Sequence, residues 1–383
     1  MPITDVVEMT RALVKIPTEN PPGNEAAGIA FVESWAQQMG LFCERMPVTE
    51  GRDNLLIRLG APKNGPSVLW LAHIDTVPAE AQCKDAAFSG EVRDGKLYGR
   101  GAADMKGGLA AGLIAMANLR AAGVQPRREL ILAVTVDEEG ENLLGARALC
   151  RSGLFEKDSW LLALEPTSLN LALAHKGEIW FDVAAQGRAA HAGRAYLGVD
   201  AIHGMAVAID RLKTAVAELP EEHTTLGRAL ISAGWIQGGT SPSMVADRCQ
   251  AHLDLVLVPP QTTDFGIHLV RKTLQEAAAH LPGLAIECEI MGEPLQPVEC
   301  AADSPLISWF HKAYKEATGT APTTIGFEAY TDAAVIATEL EISHSAVFGP
   351  GNLAQAHSVE EYVTLEQLIS AVRILESLGR ELA

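Results

Sequence analysis

The sequence predicts an α/β fold: a mostly parallel sheet with helices on both faces, carrying an inserted α+β domain. Three observations predict it. Apolar runs of strand length alternate with stretches of helical period through the first half of the chain. Near Lys176 the texture changes to longer strand-like segments with one polar face. From about residue 292 the first texture returns. The expected organisation is one larger domain in two parts, 1–177 and 292–383, interrupted by an inserted domain at 178–291. A chain of 383 residues accommodates this, since a domain takes roughly 100–200 residues.

The elements follow in order. Residues 5–15 (DVVEMTRALVK) and 24–39 (NEAAGIAFVESWAQQM) place apolar residues at helical spacing, and Asn20-Pro21-Pro22-Gly23 breaks the chain between them. Strands are expected at Asn54–Leu59, Ser67–Ile74, Glu129–Val136 and Trp160–Leu164, with helices at 105–122 and 142–151. In the inserted domain, 178–186 and 249–258 read as strands, and 199–217 and 265–280 as helices. The last part offers a helix at 304–317, the strand-like TTIGFEA, a short helix after Asp332, the strand-like HSAVFGP and a closing helix at 364–382.

Composition narrows the function. Apolar residues are 48% and charged residues 20% of the chain, which excludes a largely disordered protein. Net charge is 30 − 48 = −18, so phosphate backbones and anionic membrane surfaces are repelled; neither nucleic acid nor membrane is an expected partner. The longest apolar stretch, Gly107–Leu119, is shorter than the about 20 residues a bilayer span needs. MPITDVVEMT lacks the pattern of a secretion signal. The six cysteines (Cys43, Cys83, Cys150, Cys249, Cys288, Cys300) form no C-x-x-C pair and read as isolated thiols, so a cytoplasmic location is expected.

The polar residues at strand ends carry the chemistry. VLWLAHID ends in His73 and Asp75, LILAVTVDEE in Asp137, Glu138 and Glu139, and WLLALEP in Glu165. Ligands of open α/β sheets collect at the carboxyl ends of strands. Charges gathered there lose solvation and repel unless a cation neutralises them. His73 and Asp75 share a face of an extended backbone, so the aspartate is expected to accept a hydrogen bond from the imidazole's second nitrogen. Of the adjacent Glu138 and Glu139, one suits metal binding and the other a base. Asp104 lies among glycines in YGRGAADMKGG, which is not a phosphate-binding loop because G-x-x-x-x-G-K-[ST] is absent. GPGNLAQAH sets His357 after a strand and a turn. Two histidines with three or four carboxylates suit a pair of divalent ions of zinc type.

In this order the motifs LAHIDTVP, LYGRGAADMKGG, VTVDEEG, LEPTSL with AHKG, GRAAHAG and GPGNLAQAHSVEEY resemble the zinc aminoacylase/carboxypeptidase family. That family includes acetylornithine deacetylase, succinyl-diaminopimelate desuccinylase and glutamate carboxypeptidase, and the likeness runs over nearly the whole chain. The resemblance implies a zinc-exopeptidase-like catalytic domain with an inserted lid and dimerisation domain. It implies two divalent ions, zinc with cobalt or manganese as substitutes. His73 and Glu165 would ligate one ion and Glu139 and His357 the other, with Asp104 bridging them next to a cis peptide bond. Asp75 would orient His73, and Glu138 would be the general base. His191 would reach the active site of the partner subunit in a homodimer and hydrogen-bond the oxyanion. The activity implied is removal of an acyl group from an N-acyl amino acid or related amide. A dipeptidase or carboxypeptidase using the same chemistry is the alternative, and a metal-free binding protein on the same fold is a third reading.

The segment that would read the substrate departs from the family pattern. Where many members have D-[IV]-R-x-x-P, this chain has Asp254-Leu255-Val256-Leu257-Val258-Pro259, with valine in place of arginine. Ser243 replaces a common asparagine, Ala246 a proline, and Cys83-Lys84-Asp85-Ala86-Ala87-Phe88 stands where W-x-x-D-P-F is frequent. Ser243, Arg248 and Thr331 are the candidate substrate contacts, with Arg188 and Arg194 as further cations. A valine replaces none of arginine's paired donors, so a substrate preference other than the standard one is expected. The other histidines (His175, His203, His223, His252, His268, His280, His311, His344) are expected in surface or packing roles.

Overall fold

A computed structural model describes residues 4–60, 66–80, 84–140 and 142–383; Cys83 lies outside them. The chain folds as two compact units. One runs to Leu173 and resumes over Glu299–Phe327 and Thr331–Ala383; the other comprises Ala174–Val298 with Glu328–Tyr330.

The first unit is built on a mixed sheet. From one edge its strands run Phe42–Thr49, Arg52–Leu59, Leu130–Thr135, Val68–His73, Trp160–Ala163 and Ser345–Val347, and then Leu171–His175. The centre is parallel, from Leu130–Thr135 through Ser345–Val347, and the flanks are antiparallel. LILAVT, VLWLAH and WLLA are buried at every position, which explains why they read as continuous apolar runs without alternation. Val68, Trp70, Ala72, Leu130, Leu132 and Val134 join a core with helices Val6–Val14, Ala26–Gln38, Gly107–Ala121 and Leu365–Arg380. Leu69, Leu71, Ile131 and Ala133 point the other way and are equally buried; helix Asp332–Glu339 packs against Val68–His73 and Trp160–Ala163, and helix Leu144–Arg151 packs beside it. Helix Gly107–Ala121 approaches the sheet so closely that a Cβ on Gly108 would stand 1.9 Å from the Leu164 carbonyl oxygen, so only glycine fits there.

Phe42–Thr49 and the hairpin of Glu91–Arg93 and Lys96–Tyr98 have no clear period in the sequence. Phe42–Thr49 is an edge strand whose residues stay exposed or half-buried, so no apolar face marks it.

The second unit is a four-stranded antiparallel sheet ordered Leu230–Gly238, Arg248–Leu257, Gly177–Gln186, Ala285–Leu295. Helices Ala201–Ala217 and Thr263–Ala279 pack on one face. Alternation is visible: Ile179, Phe181, Val183, Leu253, Leu255 and Leu257 meet Met205, Leu212, Val270 and Leu274 in a core, while Trp180, Asp182, His252 and Asp254 take the opposite face. Among the described residues no helix is long and apolar enough to cross a membrane.

Candidate active site

Strand register brings the site together. His73 pairs with Thr135 and Leu71 with Ala163, so the three central strands end level. Asp75, then Asp137, Glu138 and Glu139, and then Glu165 therefore leave the sheet at one edge. Ser345–Val347, parallel to Trp160–Ala163 with Val347 opposite Ala163, adds the Gly349-Pro350-Gly351 turn leading to His357. Asp104 arrives from the turn before the buried helix, where its backbone is non-helical (φ −119°, ψ 96°) and its bond to Met105 is cis.

Two sets of donors result. In one, His73 Nε2 lies 3.1 Å from Asp104 Oδ1 and 3.8 Å from Glu165 Oε1. In the other, His357 Nε2 lies 3.1 Å from Glu139 Oε2 and 3.5 Å from Asp104 Oδ2. Within each set the donor atoms lie within 4.8 Å of one another. Asp104 belongs to both and gives a different oxygen to each. Glu138 Oε2 stands 3.8 Å from His73 Nε2, beyond hydrogen-bond reach.

Burial and neighbouring charges set the electrostatics of the cluster. Burial pushes the Glu138 and Glu165 carboxyls well above the usual range; neighbouring carboxylates add to the shift and His73 opposes it. Burial also raises Glu139, against the hydrogen bond from His357. Burial would lower His73, but Glu138, Asp104 and Glu165 hold it well above an ordinary imidazole. Asp104 falls below its ordinary value despite burial, chiefly through His73. Four carboxylates share this pocket with two imidazoles, an excess of negative charge away from water. Nitrogen and oxygen donors without a thiolate, grouped three to a set, fit divalent cations, which would compensate that excess.

Behind the donors lies a network that periodicity does not reveal. Asp75 differs from its expected role: His73 Nδ1 meets the main-chain carbonyl of Asp75 at 3.0 Å, and the carboxylate is 3.6 Å away. The Asp75 oxygens instead accept the backbone amides of Glu138 at 3.3 Å and Glu139 at 3.0 Å. Those two amides follow the turn at Asp137 (φ 67°) and need an acceptor. Asn20 Nδ2 donates to Asp75 at 2.9 Å and to Asp137 at 3.1 Å, and Arg52 pairs with Glu25 and Asp137. Asn20 announces itself in the sequence only as part of a Pro-Pro-Gly break.

The remaining candidates divide between the units. Thr331 is buried at the start of helix Asp332–Glu339 in the first unit. In the second unit His191 and Ser243 are neighbours: the Ala192 amide donates to the Ser243 carbonyl at 2.8 Å, and His191 pairs with Met244. His191 is exposed, and its Nδ1 accepts the Gly193 amide at 3.1 Å. Arg248 begins its strand opposite Gln186 and is exposed. Val256 lies opposite Glu178. Among the other histidines, His175 is buried and lowered to about 4 by desolvation, and the His252 ring packs on Trp235 at 4.6 Å.

The profile of peptidase family M20/M25/M40 matches residues 69–381. The acetylornithine deacetylase of Proteus mirabilis (strain HI4320) is 29% identical over 372 residues, 94% of this chain and 92% of the relative. That of Aliivibrio fischeri (strain MJ11) is 28% identical, over 90% of this chain and 88% of the relative. Among solved structures, a tripeptidase of Staphylococcus aureus superposes with a TM-score of 0.82 at 21% identity, covering 98% of this chain and 97% of that one. A dinuclear metal-binding M20 peptidase of Bacillus subtilis gives 0.72 at 16%, covering 98% and 96%. These structures share the fold. The chain belongs to peptidase family M20/M25/M40 and is a hydrolase of amide bonds.

Proposed function

Starting from that membership, we propose that this chain is a two-metal amidohydrolase that removes an acyl group from an N-acyl amino acid or a related amide. The observation that carries the reading is Asp104, whose Oδ1 faces His73 while its Oδ2 faces His357. His73, Asp104 and Glu165 would hold one ion, and Asp104, Glu139 and His357 the other. Zinc suits such a set, with cobalt or manganese as substitutes. Bound there, the ions supply Lewis acidity that eases ionisation of water and polarises the amide carbonyl.

The chain's own residues do the rest. Glu138 takes the proton of the attacking water and returns it to the leaving amine; its Oε2 stands 3.8 Å from His73 Nε2, beside the first donor set and a member of neither. Asp75 holds the Glu138 and Glu139 amides and so aims both side chains. With Nδ1 accepting from Gly193, His191 carries its proton on Nε2, ready to donate to the tetrahedral oxyanion. It would act across a homodimer formed through the second unit. There the edge strand Leu230–Gly238 exposes Leu230 and Ile236, and Tyr196 and Met244 are exposed too. The free thiols Cys43, Cys150, Cys249, Cys288 and Cys300 fit a cytoplasmic enzyme.

The deacetylases among the relatives favour a deacylase over an exopeptidase. Val256, between Leu255 and Leu257 and opposite Glu178, offers nothing to a free carboxylate. Arg248, Ser243 and Thr331 are the remaining proposed contacts. A panel of N-acyl amino acids, their carboxylate-blocked analogues and dipeptides, assayed with zinc- or cobalt-loaded protein, tests the reading. Acyl amino acids should be cleaved faster than dipeptides, with blocked analogues retained as substrates. Faster dipeptide cleavage would make the chain an exopeptidase. Strict dependence on the free carboxylate would defeat the altered preference, and no cleavage of any member would favour a binding protein.

A further inference from the structure

We infer that Glu361 is a positioning residue that ties the Asp104 turn to the His357 loop and thereby sets the affinity of the Asp104–Glu139–His357 set; the inference rests on the two-metal reading above.

Glu361 follows His357 by four residues and is 1% exposed, next to the exposed Glu360. A carboxylate in so dry a place needs donors. Its Oε1 accepts the backbone amides of Ala103 at 3.0 Å and Asp104 at 3.1 Å. Its Oε2 accepts Arg100 Nη1 at 2.8 Å. Arg100 is itself buried, and its Nη2 reaches towards the His357 carbonyl at 3.4 Å. The main chain adds a tie, because the Gly99 amide donates to the Glu361 carbonyl at 2.9 Å.

Both loops need such a support. Asp104 and Met105 leave helical geometry, and the Ala103 and Asp104 amides find their acceptor in this side chain rather than in a helical ladder. His357 sits at φ 61°, a left-handed conformation uncommon for any residue other than glycine. One carboxylate thus holds the amide of the shared donor and, through Arg100, the carbonyl of a donor particular to the second set. A second carboxylate beside Asp104 is electrostatically unfavourable, and the buried Arg100 offsets it.

The first set has other supports. His73 is fixed by its strand and by the Asp75 carbonyl. Glu165 follows Leu164, whose carbonyl is hemmed in by Gly108 and Gly349. The Asp104 contact is also tighter to His73, at 3.1 Å, than to His357, at 3.5 Å. Loss of Glu361 therefore falls mainly on the second set.

The test is a zinc-binding isotherm, by chelator competition, on the full chain as wild type, Glu361→Gln and Arg100→Lys. Glutamine keeps an oxygen for the two amides but turns its own donor towards Arg100; lysine removes the fork that spans Glu361 and the His357 carbonyl. Wild type should bind two ions. Both variants should bind the first as wild type does and the second about 10- to 100-fold more weakly, the size expected for removing a partner behind a ligand. The metal-free thermal midpoints should fall in both variants, because each disturbs a buried ion pair; the readout that a merely structural role would not move is the selective loss of the second ion with the first bound as in wild type. If Glu361→Gln fails to fold, Arg100→Lys carries the same comparison. Equal weakening of both ions, or none, overturns the inference. A wild-type chain that takes up fewer than two ions overturns the two-metal reading itself, and the inference with it.

Discussion

In the sheet of the second unit, charged groups stay on the open face, where Gln250 donates to both oxygens of Asp182 at 2.8 and 2.9 Å, while the other face meets helices chiefly through apolar side chains. At the carboxyl edge of the first unit's sheet the arrangement is reversed. Asp104, Glu138, Glu139 and Glu165 are withdrawn from water around His73, and burial raises three of the four carboxyls. The second unit follows the rule that charge stays wet; the first breaks it where strands from distant parts of the chain end side by side. Local departures from the rules of stability concentrate at functional sites, so the difference supports the proposed placement of the chemistry in the first unit, with a supporting part for the second.

Two experiments sharpen or break that division. The larger effect is expected from His191, the second unit's proposed contribution to the reaction. His191→Asn should lower kcat by about 10²- to 10³-fold, the loss of one oxyanion donor, with zinc uptake unchanged. Unchanged kcat would leave the second unit without a chemical part.

The smaller concerns Asp254, the exception on the second unit's open face. Burial, and then the charge of Glu178, push its carboxyl up to about 6. An unfolded aspartate titrates near ~3.9. Below that value both states are protonated and the residue costs nothing; as pH rises through the folded value, ionising the half-buried carboxyl destabilises the folded state. Asp254→Asn should therefore stabilise the protein by about 1–2 kcal/mol at pH 8 and have little effect at pH 4, read by urea unfolding. The same gain at both values would show that the group does not titrate as placed.

Most of this was legible where apolar pattern and strand ends coincide. The runs ending in His73, Glu138–Glu139 and Glu165 are buried on both faces, and parallel register alone brings their ends level. The supports were not legible, for a physical reason. Arg100 and Glu361 are 261 residues apart in sequence, and Asn20 joins Asp75 and Asp137 from a proline-rich break. Each is a single polar residue in a loop, and no period marks it. Asp75 illustrates the same limit. Its spacing from His73 suggested a partner for the imidazole, but the left-handed turn at Asp137 presents two amides that claim the carboxylate first. The edge strand Phe42–Thr49 escaped because it buries no continuous face.

The proposed reaction turns on Glu138 as the base beside two bound ions. Zinc content and turnover measured together on Glu138→Gln provide the most direct test. The expected result is two zinc ions per chain, as in wild type, with kcat reduced by about 10²- to 10⁴-fold. A variant that holds both ions and turns over at the wild-type rate would contradict it.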